Sequence, residues 1–225
     1  MISEDILALG VEALCKSDSD IKSIIAPRSK DIIDHLNLYI KEIETFNPAY
    51  GLVGASSTDE LVIKHILDSL APLGIIVRLL GEKKLSGIRI ADAGSGAGLP
   101  GIPLAITLPN CDFSLIERMG RRAGFLMNTK AALSITNINI EEKELEKTSG
   151  CFDLITFRAF KPIEPKILKS LFKICAADGI IAAYKGRLDR IKEEMAQLQV
   201  YWETIPCIVP FLDEERHLLV IKPEK

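Results

Sequence analysis

The feature that most restricts how this chain can fold is the stretch Asp92-Ala93-Gly94-Ser95-Gly96-Ala97-Gly98-Leu99-Pro100-Gly101-Ile102-Pro103, which closes a short apolar run that begins at residue 88. Four glycines fall within eight positions, 94 to 101. Glycine lacks Cβ, so the backbone can turn tightly and come close to a ligand, while Pro100 or Pro103 suits a first helical turn, where no N–H is required. A strand, a glycine turn and a helix in that order face a small molecule.

The rhythm downstream sets the fold class. From residue 88 short apolar runs alternate with helical periodicity, the pattern of a parallel sheet covered on both faces. Strands are expected at 88–93, 112–117, 137–140, 152–157 and 179–184, with helices at 100–108, 121–134, 163–175 and 188–198. The tail, 204–211 and 217–221, reads as an antiparallel hairpin joined by the acidic Leu212-Asp213-Glu214-Glu215. Residues 1–81 read as helical throughout. Ile6, Leu7, Leu9, Val11 and Leu14 make one apolar stripe. Ile32, Ile33, Leu36, Leu38, Tyr39, Ile40 and Ile43 make a second, ending near Asn47-Pro48. A third helix begins at Thr58, read as its N-cap, and carries Leu61, Ile63, Ile66, Leu67 and Leu70 up to Pro72. The expectation is an α/β, doubly wound, mostly parallel sheet with a C-terminal antiparallel hairpin (82–225) and an N-terminal helical cap packed on it (1–81). In such sheets ligands sit outside the carboxyl ends of the strands, at the switch point.

Composition narrows the class further. With 225 residues, 48% hydrophobic and 26% charged, the chain can build its own core, which excludes disorder and leaves no need for disulfides or a structural metal. Cys15, Cys111, Cys151, Cys175 and Cys207 form no C-x-x-C pair and read as free, mostly buried thiols; His35, His65 and His217 lie far apart in sequence, so no metal site is expected. A net charge of −3 argues against non-specific coating of nucleic acid but leaves room for a local basic face. No apolar run reaches the roughly 18 to 20 residues that span a bilayer, and Glu4 and Asp5 stand where a secretory signal carries Lys or Arg. A cytoplasmic location without membrane contact is expected.

Two cofactors compete for the glycine loop. Gly94-x-Gly96-x-Gly98 matches an adenosylmethionine loop, whereas Gly96-x-Gly98-x-x-Gly101 matches the dinucleotide fingerprint. Glu117 closes the second strand roughly 20 residues further on, a spacing at which an acid accepts hydrogen bonds from a ribose, and both cofactors contain one. Asp92, polar and directly before the loop, favours adenosylmethionine, because a dinucleotide-binding strand usually stays apolar to its tip. A glycine turn with a chance acid at the next strand end is the plainer alternative.

Further residues, read together, resemble the bacterial RsmG or GidB family, methyltransferases acting on N7 of a guanine in 16S rRNA. The likeness runs from His65-Ile66-Leu67-Asp68-Ser69-Leu70 through 91–104 and Gly120-Arg121-Arg122 with Phe125-Leu126. It continues at Phe152-Asp153, Arg158-Ala159-Phe160 and Tyr184-Lys185-Gly186. The glycine loop alone is shared by many methyltransferases; its combination with R-A-F and Y-K-G is far more specific. The family's Asn-Leu-Thr-type stretch ahead of His65 appears here as Gly51-Leu52-Val53-Gly54, a departure. The resemblance implies a Rossmann-like methyltransferase domain that holds S-adenosyl-L-methionine through Gly94, Leu99, Leu145, Glu146 and Arg158, to which the loop and spacing add Gly96, Gly98 and Glu117.

Guanine N7 carries a free lone pair and no proton, so methyl transfer to it needs in-line alignment rather than a general base. No residue is assigned as acid or base. For substrate RNA the candidates are Lys185, Arg121, Arg122, His65 and Asp68. For Lys185 a solvated loop lysine is the alternative, and for His65 and Asp68, one helical turn apart, a satisfied local polar pair. Arg118, Arg121, Arg122 and Lys130, and again Lys185, Arg187, Arg190 and Lys192, could form an RNA-tracking rim or ordinary solvated faces. Tyr184 and Phe160 are candidates for packing on a base or the adenine, whereas Phe125 and Leu126 read as core. The expected partner is 16S rRNA, free or in the small ribosomal subunit, with the chain a monomer. A dinucleotide-dependent oxidoreductase and a catalytically silent RNA-binding assembly module remain the rival functions.

Overall fold

The computed structural model describes residues 3–81, 85–159 and 162–223. Helices α1 (Ser3–Ser17), α2 (Ser19–Ile25) and α3 (Ser29–Tyr50) open the chain. A longer helical rod follows, in which α4 (Thr58–Leu61) widens into a π-helical segment, Val62–Leu67, and closes with the short turn α5 (Asp68–Leu70); α6 (Leu73–Leu80) completes the N-terminal part. Thereafter strands and helices alternate: β1 (Arg89–Ala93), α7 (Gly101–Thr107), β2 (Asp112–Glu117), α8 (Gly120–Ala132), β3 (Ile138–Glu142), β4 (Phe152–Arg158), α9 (Pro165–Ile174), β5 (Cys175–Lys185), α10 (Leu188–Met195), β6 (Trp202–Pro206) and β7 (His217–Ile221).

The strands form one sheet in the order β3-β2-β1-β4-β5-β7-β6, parallel from β3 to β5 and antiparallel at β7 and β6. The order reverses between β1 and β4, which makes their carboxyl ends the switch point where doubly wound sheets bind ligands. Alternation along the strands divides the core in two. Ile90, Phe113, Leu115 and Leu154 face a large cluster shared with α7, α8 and the N-terminal helices through Leu36, Ile43, Leu67 and Leu70. Ala91, Ile116, Ile155 and Phe157 face the second cluster, built with α9 and α10 through Ile167, Leu171 and Ile191.

Several boundaries differ from expectation. The third helical segment is capped by Ser57, whose hydroxyl accepts from Glu60 N at 3.1 Å, while the Thr58 hydroxyl donates to Glu44 instead. The second predicted helix, α3, continues through Pro48 to Tyr50, because Pro removes only one N–H and the turn closes when Gly51 N donates to Asn47 O. Leu9 and Leu38 lie at the margins of their stripes and are exposed. β5 is longer than expected at both ends, and the first hairpin strand ends at Pro206 rather than 211. Of the thiols, Cys111 and Cys207 are buried but Cys151 is exposed.

Candidate active site

The loop after β1 is held from below. Gly94, Gly96 and Gly98 adopt φ of 71°, 57° and 93°, the left-handed region that side chains resist. Gly94 N and Ser95 N donate to Ile116 O at 2.8 and 3.1 Å, and Ile102 N donates to Gly98 O at 2.7 Å, so the turn runs directly into α7. Beneath it Asp92 is fully buried and accepts from Gly101 N at 3.2 Å and from the Thr156 hydroxyl at 3.3 Å. Burial pushes its carboxyl up to about 7, against the lowering effect of these hydrogen bonds and of Arg158. From the other side Tyr39 Oη donates to Ala97 O at 2.7 Å, pinning the loop to α3.

The glycines divide by what they face. A Cβ on Gly98 would lie 2.4 Å from Ile102 Cδ1, and one on Gly101 would lie 2.4 Å from Leu115 Cδ2, so both serve packing. On Gly96 it would meet nothing closer than 3.9 Å. The open side of the loop borders a cleft of about 600 Å3 lined by Gly94, Glu117, Arg122, Leu145, Glu146 and Ala159. Glu117 is 4% exposed; its Oε2 accepts from Gly96 N at 2.9 Å and its Oε1 from Met119 N at 2.8 Å, which fixes the carboxylate and leaves each oxygen a further lone pair. A fixed acceptor for a diol beside a glycine cradle without side chains fits the ribose and backbone-hugging chain of adenosylmethionine. Gly94 lines the cleft, whereas Gly96, Gly98 and the buried Leu99 shape the loop without bordering it.

A second cavity of about 430 Å3 opens at the tips of β4 and β5 and shares Ala159 with the first. Ala159 itself sits at φ 49°. Here the fold brings together four residues from three distant parts of the chain: His65 and Asp68, Arg158, and Arg216. Asp68 Oδ2 accepts from Arg158 Nη1 at 2.7 Å and its Oδ1 from Arg216 Nε at 3.0 Å, so one carboxylate bridges two guanidiniums that are 14% and 21% exposed, with Glu214 a second partner of Arg216. Arg158 also donates to Lys64 O at 2.9 Å, in the π-helical segment, and to His65 Nδ1 at 2.7 Å. Because Arg can only donate, Nδ1 must accept, so His65 is neutral with its proton on Nε2, facing Gly54 O at 3.2 Å. Burial and the neighbouring Arg158 charge hold the imidazole below its ordinary pKa. The His65–Asp68 pair is thus a charged network reaching from the helical rod to two strands rather than a local cap.

The remaining candidates disperse. Lys185 borders the second cavity, but its Nζ lies 2.8 Å from both Glu194 carboxylate oxygens, so it is a held cation rather than a mobile one. Tyr184 is buried and donates to Ser69 O at 3.0 Å, which commits its hydroxyl to the fold. Arg121 stacks over Tyr50 at 4.9 Å, away from Arg122 at the cleft. Arg187 and Arg190 pair with Asp189 and Glu193, reducing the second basic cluster to locally balanced charge. Phe125 and Leu126 are core, as expected, and Phe160 lies outside the described residues. Sequence reasoning missed Arg216, hidden at the end of an acidic turn, and the loop-pinning role of Tyr39, whose only signal was a place in an apolar stripe. His65 and His217 share the second cavity, yet among the described residues no cluster of three or more His, Cys, Asp or Glu is placed to hold a metal. No helix among them is long and apolar enough to cross a membrane.

Sheet order, glycine loop, fixed acid at the tip of β2 and the adjoining cavity are those of an S-adenosyl-L-methionine-dependent methyltransferase. Residues 32–219 match the GidB family, rRNA small subunit methyltransferase G. The chain is 35% identical over 250 residues to ribosomal RNA small subunit methyltransferase G of Treponema denticola, covering 99% of this chain and 97% of that protein. It is 31% identical over 230 residues to the protein of the same name from Nitrosococcus oceani, covering 100% and 95%. Magnesium protoporphyrin IX methyltransferase from Synechocystis PCC 6803, solved with bound SAM, shares the fold at a TM-score of 0.55 and 14% identity, over 82% of this chain and 97% of that one. The chain belongs to the rRNA small subunit methyltransferase G family.

Proposed function

We propose that this chain transfers a methyl group from S-adenosyl-L-methionine to N7 of a guanine in 16S rRNA. The observation that carries the reading is the junction of two cavities at Ala159, one bounded by the glycine loop and Glu117, the other bounded by the charged side chains of Arg158, Asp68 and Arg216. Gly94 and Glu117 hold the cofactor's ribose and backbone, Gly96 orients Glu117 through its N–H, Leu145 and Glu146 border its base, and Gly98 and Leu99 keep the loop in shape. When bound, the cofactor supplies an electrophilic methyl on a sulfonium.

The acceptor guanine enters the second cavity. N7 brings its own lone pair, so the protein has to orient and desolvate rather than deprotonate, and positioning alone is worth about 7 to 11 kcal/mol in favourable intramolecular cases. Arg158 lines the second cavity and not the glycine-loop cleft; Asp68, Lys64 O and His65 take both Nη1 hydrogens and one on Nη2, which leaves the other Nη2 hydrogen and Nε–H to meet the cofactor carboxylate or an RNA phosphate. Lys185 and Arg216, though paired with Glu194 and with Asp68 and Glu214, present N–H donors at the wall where O6 or a phosphate would lie, and Arg122 lines the first cleft. We read residues 1–81 as a helical cap on the methyltransferase domain at 82–225, since one apolar cluster joins them. We further propose a cytoplasmic monomer acting on 16S rRNA, free or in the small subunit.

The test is transfer of labelled methyl to ribosomal RNA or small subunits from a strain lacking the modification, mapped by cleavage at 7-methylguanine. A single new cleavage site is the expected result. Binding of S-adenosyl-L-methionine without incorporation into either substrate would overturn the reading in favour of a silent assembly module.

A further inference from the structure

The connection between β6 and β7 projects from the wall of the second cavity. Cys207 and Arg216, at its two ends, both border that cavity, and Cys207 N donates to Arg216 O at 2.8 Å, closing the base of the projection. Within it, burial alternates: Val209 is 4% exposed and Leu212 packs on the core, whereas Ile208 is 84% and Phe211 58% exposed. Two large apolar side chains are therefore held out to solvent by an anchored segment rather than by a loose one. Glu215 accepts from Leu188 N at 3.1 Å, and Glu214 lies 3.4 Å from Lys64 Nζ and 3.0 Å from Arg216 Nη2, so these acids are tied back to the protein.

The backbone makes this exposure costly. Leu212 N donates to Val209 O at 3.2 Å, closing a turn with Pro210 second and Phe211 third. Phe211 has φ 67°, at the place in a Pro-x turn where glycine is the usual occupant because it alone takes positive φ without strain. Folding gains nothing evident from an exposed phenyl ring there. Phe211 does not itself line the cavity, but the segment that carries it is rooted in the cavity wall at Cys207 and Arg216, and strain kept in such a segment points to use by a ligand that extends beyond the cavity.

We infer that Phe211, flanked by Ile208, is a stacking platform for an RNA base next to the acceptor guanine. The inference rests on the rRNA reading above. A guanine can reach a pocket only by leaving its stack, and its neighbour then loses a stacking face; an aromatic ring on a segment rooted in the pocket wall replaces that face without regard to sequence. A rigid mount suits the task, since no loop ordering has to accompany binding.

Phe211→Gly separates this from a structural role, because glycine relieves the turn. The variant should melt at or above the wild-type temperature and bind S-adenosyl-L-methionine equally well. Its kcat/KM on protein-free 16S rRNA should fall about 5- to 150-fold, the range for loss of one base–aromatic stack. Phe211→Trp should retain the rate, and the salt dependence of RNA binding should keep its slope, since no phosphate contact is lost. Wild-type kcat/KM in Phe211→Gly would overturn the inference while leaving the rRNA reading intact. A loss seen only with protein-containing subunits would also overturn it, assigning the loop to a ribosomal protein. Absence of transfer by the wild-type chain would remove both readings together.

Discussion

Tyr39 and Ala97 are joined across the fold: the phenol, wholly buried on α3, donates to the carbonyl in the middle of the glycine loop at 2.7 Å. A helix that contributes no lining residue to the cleft beside the glycine loop thereby fixes the loop, on which the proposed cofactor binding depends. Burial pushes the phenol's pKa well above its ordinary range, so it stays a donor throughout the accessible pH scale.

Tyr39→Phe keeps the ring and removes only that donor, leaving Ala97 O buried without its partner. Stability should drop by about 1 to 3 kcal/mol, the cost of an unsatisfied buried polar group. S-adenosyl-L-methionine affinity should weaken as the loop loosens. Urea unfolding and calorimetric titration measure the two effects; an unchanged affinity would show that the loop holds its shape without α3.

Gly96 and Gly98 should respond differently to alanine. At Gly98 the new methyl would lie 2.4 Å from Ile102 Cδ1 at a φ of 93°, so the fold should lose about 1 to 3 kcal/mol from overpacking, with backbone strain added. At Gly96 there is room, and Gly96→Ala should fold with only the strain of its φ of 57° while binding the cofactor more weakly. Melting temperatures alongside binding constants distinguish them, and equal destabilisation of both would contradict the division of roles.

Asp92 should give folding a pH signature. Its carboxyl is raised from 3.8 to about 7 in the folded chain, chiefly by burial, so the native state binds a proton more tightly than the unfolded state does. The stability this contributes is complete below about pH 4 and is lost as pH rises to about 7, on the order of a few kcal/mol across that window. Asp92→Asn cannot ionise, so its unfolding free energy should change less over that interval. Parallel pH slopes for wild type and variant would refute the assignment.

Arg158→Met should leave Asp68 paired with Arg216 and the fold intact, while methyl transfer falls about tenfold to a hundredfold, the value of one charge-assisted hydrogen bond at the site. The imidazole of His65 offers an independent readout. Arg158 is one of the two causes that depress its pKa, so removal of the guanidinium should move the His65 titration upward. Proton NMR follows the ring directly; a downward or absent shift would mean that the network is not as described.

Local chemistry was legible in the sequence and long-range pairing was not. β2 and β7 match expectation to the residue, because each is a short apolar run bounded by clear breaks. The glycine loop and Glu117 were readable because spacing along one β-loop-α-β unit constrains them. Arg216 and Asp68 meet across 148 positions, and Lys185 finds Glu194 on the next helix; neither contact leaves a periodicity. Ser57 was overlooked beside Thr58 because two adjacent hydroxyl residues can both cap a helix, and the choice depends on which one has extended φ and ψ.

The strand order has a consequence for how the chain is made. β7 is the last strand in sequence, yet it lies between β5 and β6. During vectorial synthesis β6 emerges with no partner, and β5 presents an open edge until β7 slides into the gap. Since Arg216 directly precedes β7, closure of the sheet and delivery of the second guanidinium to Asp68 are one event. A nascent chain stalled before that point would hold a formed glycine loop but an unfinished acceptor wall, so competence to bind the methyl donor would precede competence to use it.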